Sequence, residues 1–422
     1  MTDEAGLRIA VVGAGVSGLV AAWLLSRRHR VTLFEAEARI GGHTHTHRVE
    51  DPAGPIDVDT GFIVFNHENY PLFSRLLERL GIDSQPTAMS FSVSDARSGI
   101  EWAGSPSLNS VFGQRRNLAS PAFWGMLRDI LRFGREAPAV LDDPDDTRSV
   151  ADFARERGYG QAFVEHYLLP LGASLWSCPD RRFAGFPIRF VVEFLQHHRM
   201  LGLGGRPQWR SIPGGSRRYV DALLADFPGE VRNATPVHAV TRSPGNVRVQ
   251  SAAGDEAFDE VILACHADQA LALLGDDATE AERELLAAFP YQTNTAILHT
   301  DTRVLPREPR CRAAWNHRVG ADSGHVSISY DMNILQRLPA RETWCVTLND
   351  DGGIDPARIH ARMRYAHPLY TPQRGAAQAR HAEVTRANRT SYCGAWWGYG
   401  FHEDGVRSAV AVAAAFGVDD YL

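Results

Sequence analysis

Arg8-Ile-Ala-Val-Val-Gly-Ala-Gly-Val-Ser-Gly18, with Glu35 closing the run Arg30-Val-Thr-Leu-Phe34, decides the fold. Ile9 to Val12 is a short apolar run rich in β-branched residues, the pattern of a fully buried parallel strand. Gly13, Gly15 and Gly18 give the GxGxxG spacing, and Leu19 to Leu25 continues as an apolar helix. The spacing has a mechanism: Gly13 allows a tight turn, Gly15 lets backbone approach a pyrophosphate, and Gly18 lets helix pack closely on strand. Free N–H groups and the partial positive charge of the helix N-terminus then suit phosphate. Glu35, about twenty residues on, stands where a carboxylate accepts ribose hydroxyls. A lone GxGxxG is weak evidence. Strand, glycines, helix, strand and acid in one βαβ unit specify a dinucleotide site.

Outward from this unit, composition sets bounds. The 422 residues suggest two or three domains. Apolar content of 44% and charged content of 22% are ordinary for a globular chain. A net charge of −6 gives no reason to expect nucleic acid. No apolar run reaches spanning length, and the polar amino terminus runs straight into the first strand, so no secretory leader is expected. Cys178, Cys265, Cys311, Cys345 and Cys393 are scattered, without zinc or CxxC spacing, which fits a reducing cytoplasm. All 44 basic residues are arginine. No lysine ammonium can therefore serve this chemistry.

Ile40-Gly-Gly-His-Thr-His-Thr-His47 offers a second glycine pair to the same dinucleotide. Its alternating histidines resemble a metal site, but extended residues two apart merely share a face, and no metal is expected. Ile56 to Phe65 alternates like a strand and carries Gly61, where backbone could meet a flat ligand. Residues 70–81 read as a helix ended by Gly81, and 87–103 as strands of a different sheet. Ser120-Pro121 caps a helix in which Phe123, Trp124, Leu127, Ile130 and Leu131 recur among arginines. Such a stripe either faces a core or lies on an anionic membrane. Helices are expected over 149–161, 162–171 and 187–202, the last containing His197 and His198. Pro213-Gly214-Gly215 turns into a helix, and strands follow at 235–240, 247–249, 257–264, 295–298, 326–330 and 343–348. A Gly-rich turn, 393–408, precedes an Ala-rich helix at 409–416. The expected fold class is α/β. A Rossmann-type parallel-sheet domain (1–75, 205–275 and 386–422) would carry an inserted α+β substrate domain (76–204 and 276–385).

The glycine loop, Glu35, Gly41-Gly42, Val58-Asp-Thr-Gly61, Pro213-Gly214-Gly215, the 259–265 strand and the late Gly-rich turn stand in the order of one family. They resemble the FAD-dependent amine-oxidase superfamily of monoamine oxidases, protoporphyrinogen oxidases and phytoene-type carotenoid desaturases. Tyr330-Asp-Met-Asn-Ile-Leu-Gln336, Thr347-Leu-Asn349, Tyr365-Ala-His-Pro368 and Cys393 to Gly405 are similar to a bacterial subgroup of NAD/FAD-binding oxidoreductases associated with cyclopropane-fatty-acid-synthase-like methyltransferases. The resemblance implies that Gly13, Gly15, Val16, Ser17 and Gly18 hold the pyrophosphate, and that Glu35 and Ala36 border the adenosine ribose. Gly42, His43 and Thr44 would approach the pyrophosphate and ribityl chain. Gly61 and Phe62 would meet the isoalloxazine, and Val237 the adenine. Gly394, Gly400, His402, Asp404, Gly405 and Val406 would set helix N–H groups against the flavin pyrimidine, where reduction develops negative charge.

Three departures qualify the likeness. His43 replaces the usual Arg after the glycine pair, Glu37 replaces a second Arg, and the acid expected after Gly394 is missing, leaving Glu403 or Asp404 for the ribityl contact. Covalent tethering has no clear cysteine, so non-covalent FAD is implied. The missing lysine weakens amine oxidation. An apolar, aromatic insert fits dehydrogenation (desaturation) of a hydrophobic, fatty-acyl or isoprenoid substrate, with oxygen or a quinone as electron acceptor. His402, His198 and Tyr330 are the candidate bases. The alternatives are an amine oxidase releasing peroxide and a redox-neutral double-bond isomerase. Contact with the inner membrane would run through residues 120–134.

Overall fold

In the computed structural model, which describes residues 6–104, 107–176, 178–202, 204–320, 326–350 and 352–419, five short parallel strands carry the glycine loop. Their order is Thr390–Tyr392, Glu260–Leu263, Arg8–Val12, Arg30–Phe34, Glu230–Arg232. The first strand of the chain is thus central, which is why Ile9 to Val12 are all buried. All ten residues of helix Val16–Leu25 are buried, against the sheet and against the last helix, His402–Ala415. A helix apolar on every side is a helix enclosed on every side.

A seven-stranded mixed sheet forms the second layer: Ile359–Pro368, Tyr291–His299, Cys345–Leu348, Val326–Asp331, Trp315–Val319, Phe91–Asp95 and Ile100–Gly104. Phe91–Asp95 and Trp315–Val319 pair in parallel, so chain from both sides of the 205–275 stretch shares this sheet. Helices between 108 and 197 pack an aromatic core over it, with Phe123, Phe133, Phe153 and Phe163 fully buried.

Local signals were accurate where one stretch of chain settles the matter. Ser120 accepts a hydrogen bond from the Phe123 N–H, and Ser149 and Asp152 form a capping box. Helix Pro71–Arg79 is followed by Gly81 at φ +67. Elsewhere the structure departs from expectation. The strand read over 56–65 is Gly54–Asp59 only. Beyond it Phe62 donates its N–H to the His43 carbonyl (2.8 Å), which turns the chain out of the sheet. The last helix begins at His402 rather than 409. Its first turn is held by the Asp404 carboxylate, which accepts the Phe401 N–H (3.0 Å) and so tolerates Gly405. The helices expected at 149–161 and 162–171 are instead Val150–Glu156 and a run from Gln161 to Leu175 that passes through a π turn at Val164–Leu168. Strand Ile359–Pro368 escaped notice because His360, Arg362 and Arg364 alternate along its exposed face and His367 adds a polar residue to the other.

Asp59 ties these pieces together. Its buried carboxylate accepts from the Ser216 N–H (2.9 Å) and hydroxyl (2.8 Å), the Thr46 hydroxyl (2.5 Å) and the Gln336 amide (2.9 Å). Burial pushes this carboxyl up to about 7, while the donors pull it down. Asp59→Asn keeps the size but presents an NH2 to four donors. We expect a loss of about 2–3 kcal/mol, read as a lower denaturant midpoint; an unchanged midpoint would remove Asp59 from this role.

Candidate active site

One cavity of about 970 Å³ opens at the C-terminal ends of the parallel strands, where such sheets bind their ligands. Gly13, Gly15, Glu35 and Val237 line it near the sheet; Phe62, Tyr365, Gly400, Phe401 and His402 line its middle; aromatic side chains of the helical layer line its far side.

The glycines here are places where backbone meets backbone. A Cβ on Gly18 would sit 1.8 Å from the Gly13 carbonyl oxygen. On Gly42, at φ +58, it would lie 2.9 Å from the Gly15 Cα, and on Gly61 2.0 Å from the His43 carbonyl oxygen. The two glycine loops therefore touch, and the helix starting at Val16 has no side-chain cap, leaving its first N–H groups for a ligand. The Glu35 carboxylate is held by the N–H groups of Ala14 (2.8 Å) and Glu37 (2.9 Å). A flat, phosphate-linked dinucleotide fits this cradle.

The late turn, 394–401, is fixed from outside the cavity. Buried Arg374 donates to the carbonyls of Trp396 (3.0 Å) and Gly398 (2.7 Å), and its guanidinium lies 3.8 Å from the Tyr370 ring centroid. Tyr370 donates to the Tyr399 carbonyl.

Of the residues read from the sequence, Gly13, Gly15, Val16, Ser17, Glu35, Ala36, Gly42, His43, Gly61, Phe62, Val237, Gly394, Gly400, His402, His198 and Tyr330 line the cavity. Gly18, Thr44, Asp404, Gly405 and Val406 do not. Gly18 acts by packing. Thr44 bonds Tyr219 (2.5 Å) and His402 Nε2 (3.1 Å). Asp404 caps its own helix, Gly405 packs on Val16 and Ser17, and Val406 is core. The expected ribityl contact from Glu403 or Asp404 is also corrected. Glu403 accepts the N–H groups of Leu72 (3.1 Å) and Phe73 (2.9 Å), capping a different helix.

The three candidate bases separate clearly. His402 stacks on Phe62 (3.6 Å, 13°), and its Nε2 is shared between Thr44 and Tyr219 (3.1 Å each), so it is committed to structure. Tyr330 packs edge-on against Trp315. His198 stacks on Phe194, and its Nδ1 meets the Phe194 carbonyl (3.0 Å). That bond places the proton on Nδ1 and leaves Nε2 as the acceptor.

Sequence reading missed a group of buried histidines. His43 lies among Tyr365 (5.2 Å), His367 (5.3 Å) and His266 (6.2 Å), and replaces charge with a neutral ring. Its Nε2 has no hydrogen-bond partner among the described residues. Tyr365-Ala-His-Pro368 had stood out in the sequence, but nothing there indicated His43 as its neighbour. His317 is likewise buried, with its Nδ1 3.3 Å from Ser174 and its Nε2 3.7 Å from Asp180.

This fold and site define a dinucleotide-binding flavoprotein. The chain belongs to the family of flavin containing amine oxidoreductases, whose sequence model matches residues 16–337. AofH of Mycobacterium tuberculosis, named as a flavin-containing monoamine oxidase, is 28% identical over 296 residues. That match covers 66% of this chain and 61% of AofH, so less than two thirds of the relative is spanned. Among solved structures, the CLA-producing fatty acid isomerase from P. acnes aligns with a TM-score of 0.67 at 14% identity, covering 99% of each chain. Cyclohexylamine oxidase from Brevibacterium oxydans aligns at 0.65 and 16%, covering 97% and 98%. At these identities the likeness is one of fold.

Burial holds His43, His198, His266 and His299 down at about 4, and His45, His317, His367 and His402 at about 3. Each therefore contributes stability that is present above the unfolded value near 6.5 and lost as pH falls toward its folded value. Asp59 and Asp180, raised by burial to about 7 and 6, act in the opposite sense but are outnumbered. We expect the thermal midpoint to fall steeply between pH 6.5 and 4, with release of fluorescent flavin. A midpoint that is flat or rising on acidification would contradict this balance.

Proposed function

We propose that the enzyme dehydrogenates a hydrophobic, fatty-acyl substrate. Residues 1–75, 205–275 and 386–422 would form the FAD-binding unit, and 76–204 and 276–385 the substrate unit. The observation that carries the reading is the distribution of charge along the cavity. Among the described lining residues, the carboxylates are Glu35 and Glu37, both beside the glycine loop, and the only arginine is Arg206, which stands with Tyr167 and Met200 of the helical layer. The lining also carries Phe91, Leu171, Leu175, Trp176, Trp209 and Trp315. An ammonium substrate would find no anionic partner among these residues, whereas a long apolar chain with an acidic head finds both an apolar wall and a cation. The absence of lysine points the same way.

FAD, when bound, supplies a two-electron hydride acceptor. The work of the protein is positional. The glycine loops and Glu35 would hold the dinucleotide, with Val16 and Ser17 at the helix start on its phosphates. Gly61, Phe62 and the 394–401 turn would border the flavin ring. The aromatic wall excludes water and orders the acyl chain. His198, neutral at pH 7 with Nε2 as acceptor, would take the proton released when the second C–H bond breaks. Oxygen or a quinone would reoxidise the flavin.

Two measurements test this. Anaerobic mixing with panels of acyl lipids, amines and polyenes should bleach the flavin with acyl lipids alone. Bleaching by amines, with none from lipids, would replace this reading with amine oxidation; product without net electron transfer would favour isomerisation. His198→Gln should slow bleaching by about 100-fold or more with FAD content unchanged. The wild-type rate should also fall as pH drops toward about 4, where His198 protonates, and the variant should lose that dependence. A variant as fast as wild type would remove His198 from proton transfer.

A further inference from the structure

Among the described residues, the large apolar side chains that stand exposed are Leu108 (73%), Leu118 (50%), Trp124 (50%) and Leu131 (47%). Single exposed leucines are normal on a protein surface, but here all four fall within one stretch of chain. On helix Pro121–Glu136, the exposed residues Trp124, Arg128, Leu131 and Arg135 follow one another at helical spacing and share a face. Phe123, Met126 and Phe133 occupy the buried face. Trp124 donates its indole N–H to the Leu118 carbonyl (3.0 Å) and packs on Phe112, joining this face to the preceding segment. The exposed Arg115 and Arg116 lie on that segment.

Residues 108–136 hold five arginines against two acids, a local charge of +3 on a chain of net charge −6. Of the two acids, buried Asp129 pairs with Arg128 (3.3 Å) and Arg132 (3.7 Å), and Glu136 pairs with Arg132 (2.8 Å). No described helix is long and apolar enough to cross a membrane. Exposed apolar side chains alternating with arginines instead suit the plane of a bilayer surface.

The same helix borders a second cavity of about 460 Å³, lined by Ile130, Leu131 and Leu201 together with Tyr167, Met200 and Arg206. The last three also line the main cavity, so they form the wall between the two.

We propose that the 108–135 face docks on an anionic lipid bilayer, and that the smaller cavity is the mouth through which an acyl chain passes from the bilayer to the main cavity. Arg115, Arg116, Arg128 and Arg135 meet headgroup phosphates, and Leu108, Leu118, Trp124 and Leu131 enter the acyl layer. The Tyr167–Met200–Arg206 wall keeps an acidic head at the surface while the chain goes inward. Only this passage rests on the fatty-acyl reading; the docking stands on the surface itself.

Flotation of the FAD-loaded protein with vesicles tests the docking. It should rise with phosphatidylglycerol-containing vesicles, stay down with pure phosphatidylcholine, and be released by salt. Arg128→Gln with Arg135→Gln should weaken binding roughly thirty-fold. Trp124→Glu with Leu131→Glu should abolish flotation, with flavin content and thermal midpoint as in wild type. Wild-type protein that stays down with anionic vesicles, or a Glu variant that floats normally, would overturn the proposal. So would a wild-type dimer in solution that the Glu variant dissolves, since that would make the face a contact between copies. Flotation requires no turnover, so its failure leaves the dehydrogenation reading standing, and a lipid panel that never bleaches the flavin leaves the docking result standing.

Discussion

A single buried carboxylate holds the cavity in register. Asp59 ends one strand and accepts hydrogen bonds from the 46, 216 and 336 positions, which come from chain pieces far apart in sequence. Its own N–H donates to the Gln336 side chain (2.8 Å), so the contact is reciprocal. Burying a carboxylate is costly unless its lone pairs are filled, and here four donors fill them. The consequence lies two residues on. Gly61 is pressed on the His43 carbonyl, and Phe62 is set beside His402. The middle of the cavity inherits its shape from a residue that does not line it.

The same logic explains the glycines. Gly13 with Gly18, Gly15 with Gly42, and Gly61 with His43 are contacts that a methyl group would prevent. Together they bring three loops against one another, so that at its glycine end the cleft is bordered closely by backbone. Polar recognition then depends little on charge. Arg39 donates to the carbonyls of Gly42 (2.8 Å) and Thr44 (2.8 Å), bracing the second glycine loop. His43, where the family's usual pattern has arginine, is kept neutral by burial and by His266 and Arg39. An anionic group brought near it would favour its charged form.

Much of the first sheet was legible because its signals are local. Strand, glycine turn, helix and acid lie within residues 8–35, and each follows from spacing alone. Ser120 and Ser149 announce their helices for the same reason. Partnerships made across the chain were not legible. Glu403 reads as a flavin contact when placed beside the glycines, yet its carboxylate caps a helix at 71. Asp404 serves Phe401, three residues before it, which delays the apparent start of the last helix in sequence by concealing Gly405 inside it. Trp124 and Leu131 carried the apolar spacing of a core stripe, and only packing revealed that the core takes Phe123, Met126 and Phe133 instead.

What the sequence does make unavoidable is the consequence of having arginine as its only strong base. A guanidinium stays charged at every accessible pH and cannot be drawn neutral into an apolar site as an ammonium can. Cations must therefore sit at rims, be wrapped in carbonyls, or pair with carboxylates as the buried Arg242 side chain does with Asp277 and Glu282. Arg374 takes the second course, fixing the late turn from behind through the Trp396 and Gly398 carbonyls. Arg206 takes the first, standing exposed where two cavities meet. In the proposed reading, proton transfer inside the cavity would fall to His198, whose imidazole burial holds below its ordinary value and whose bond to the Phe194 carbonyl fixes its tautomer. On the same reading, a site built this way would tolerate an uncharged chain along its length and accept charge at its ends. Glu35 and Glu37 stand at the glycine loop, and Arg206 also lines the smaller cavity beside helix Pro121–Glu136.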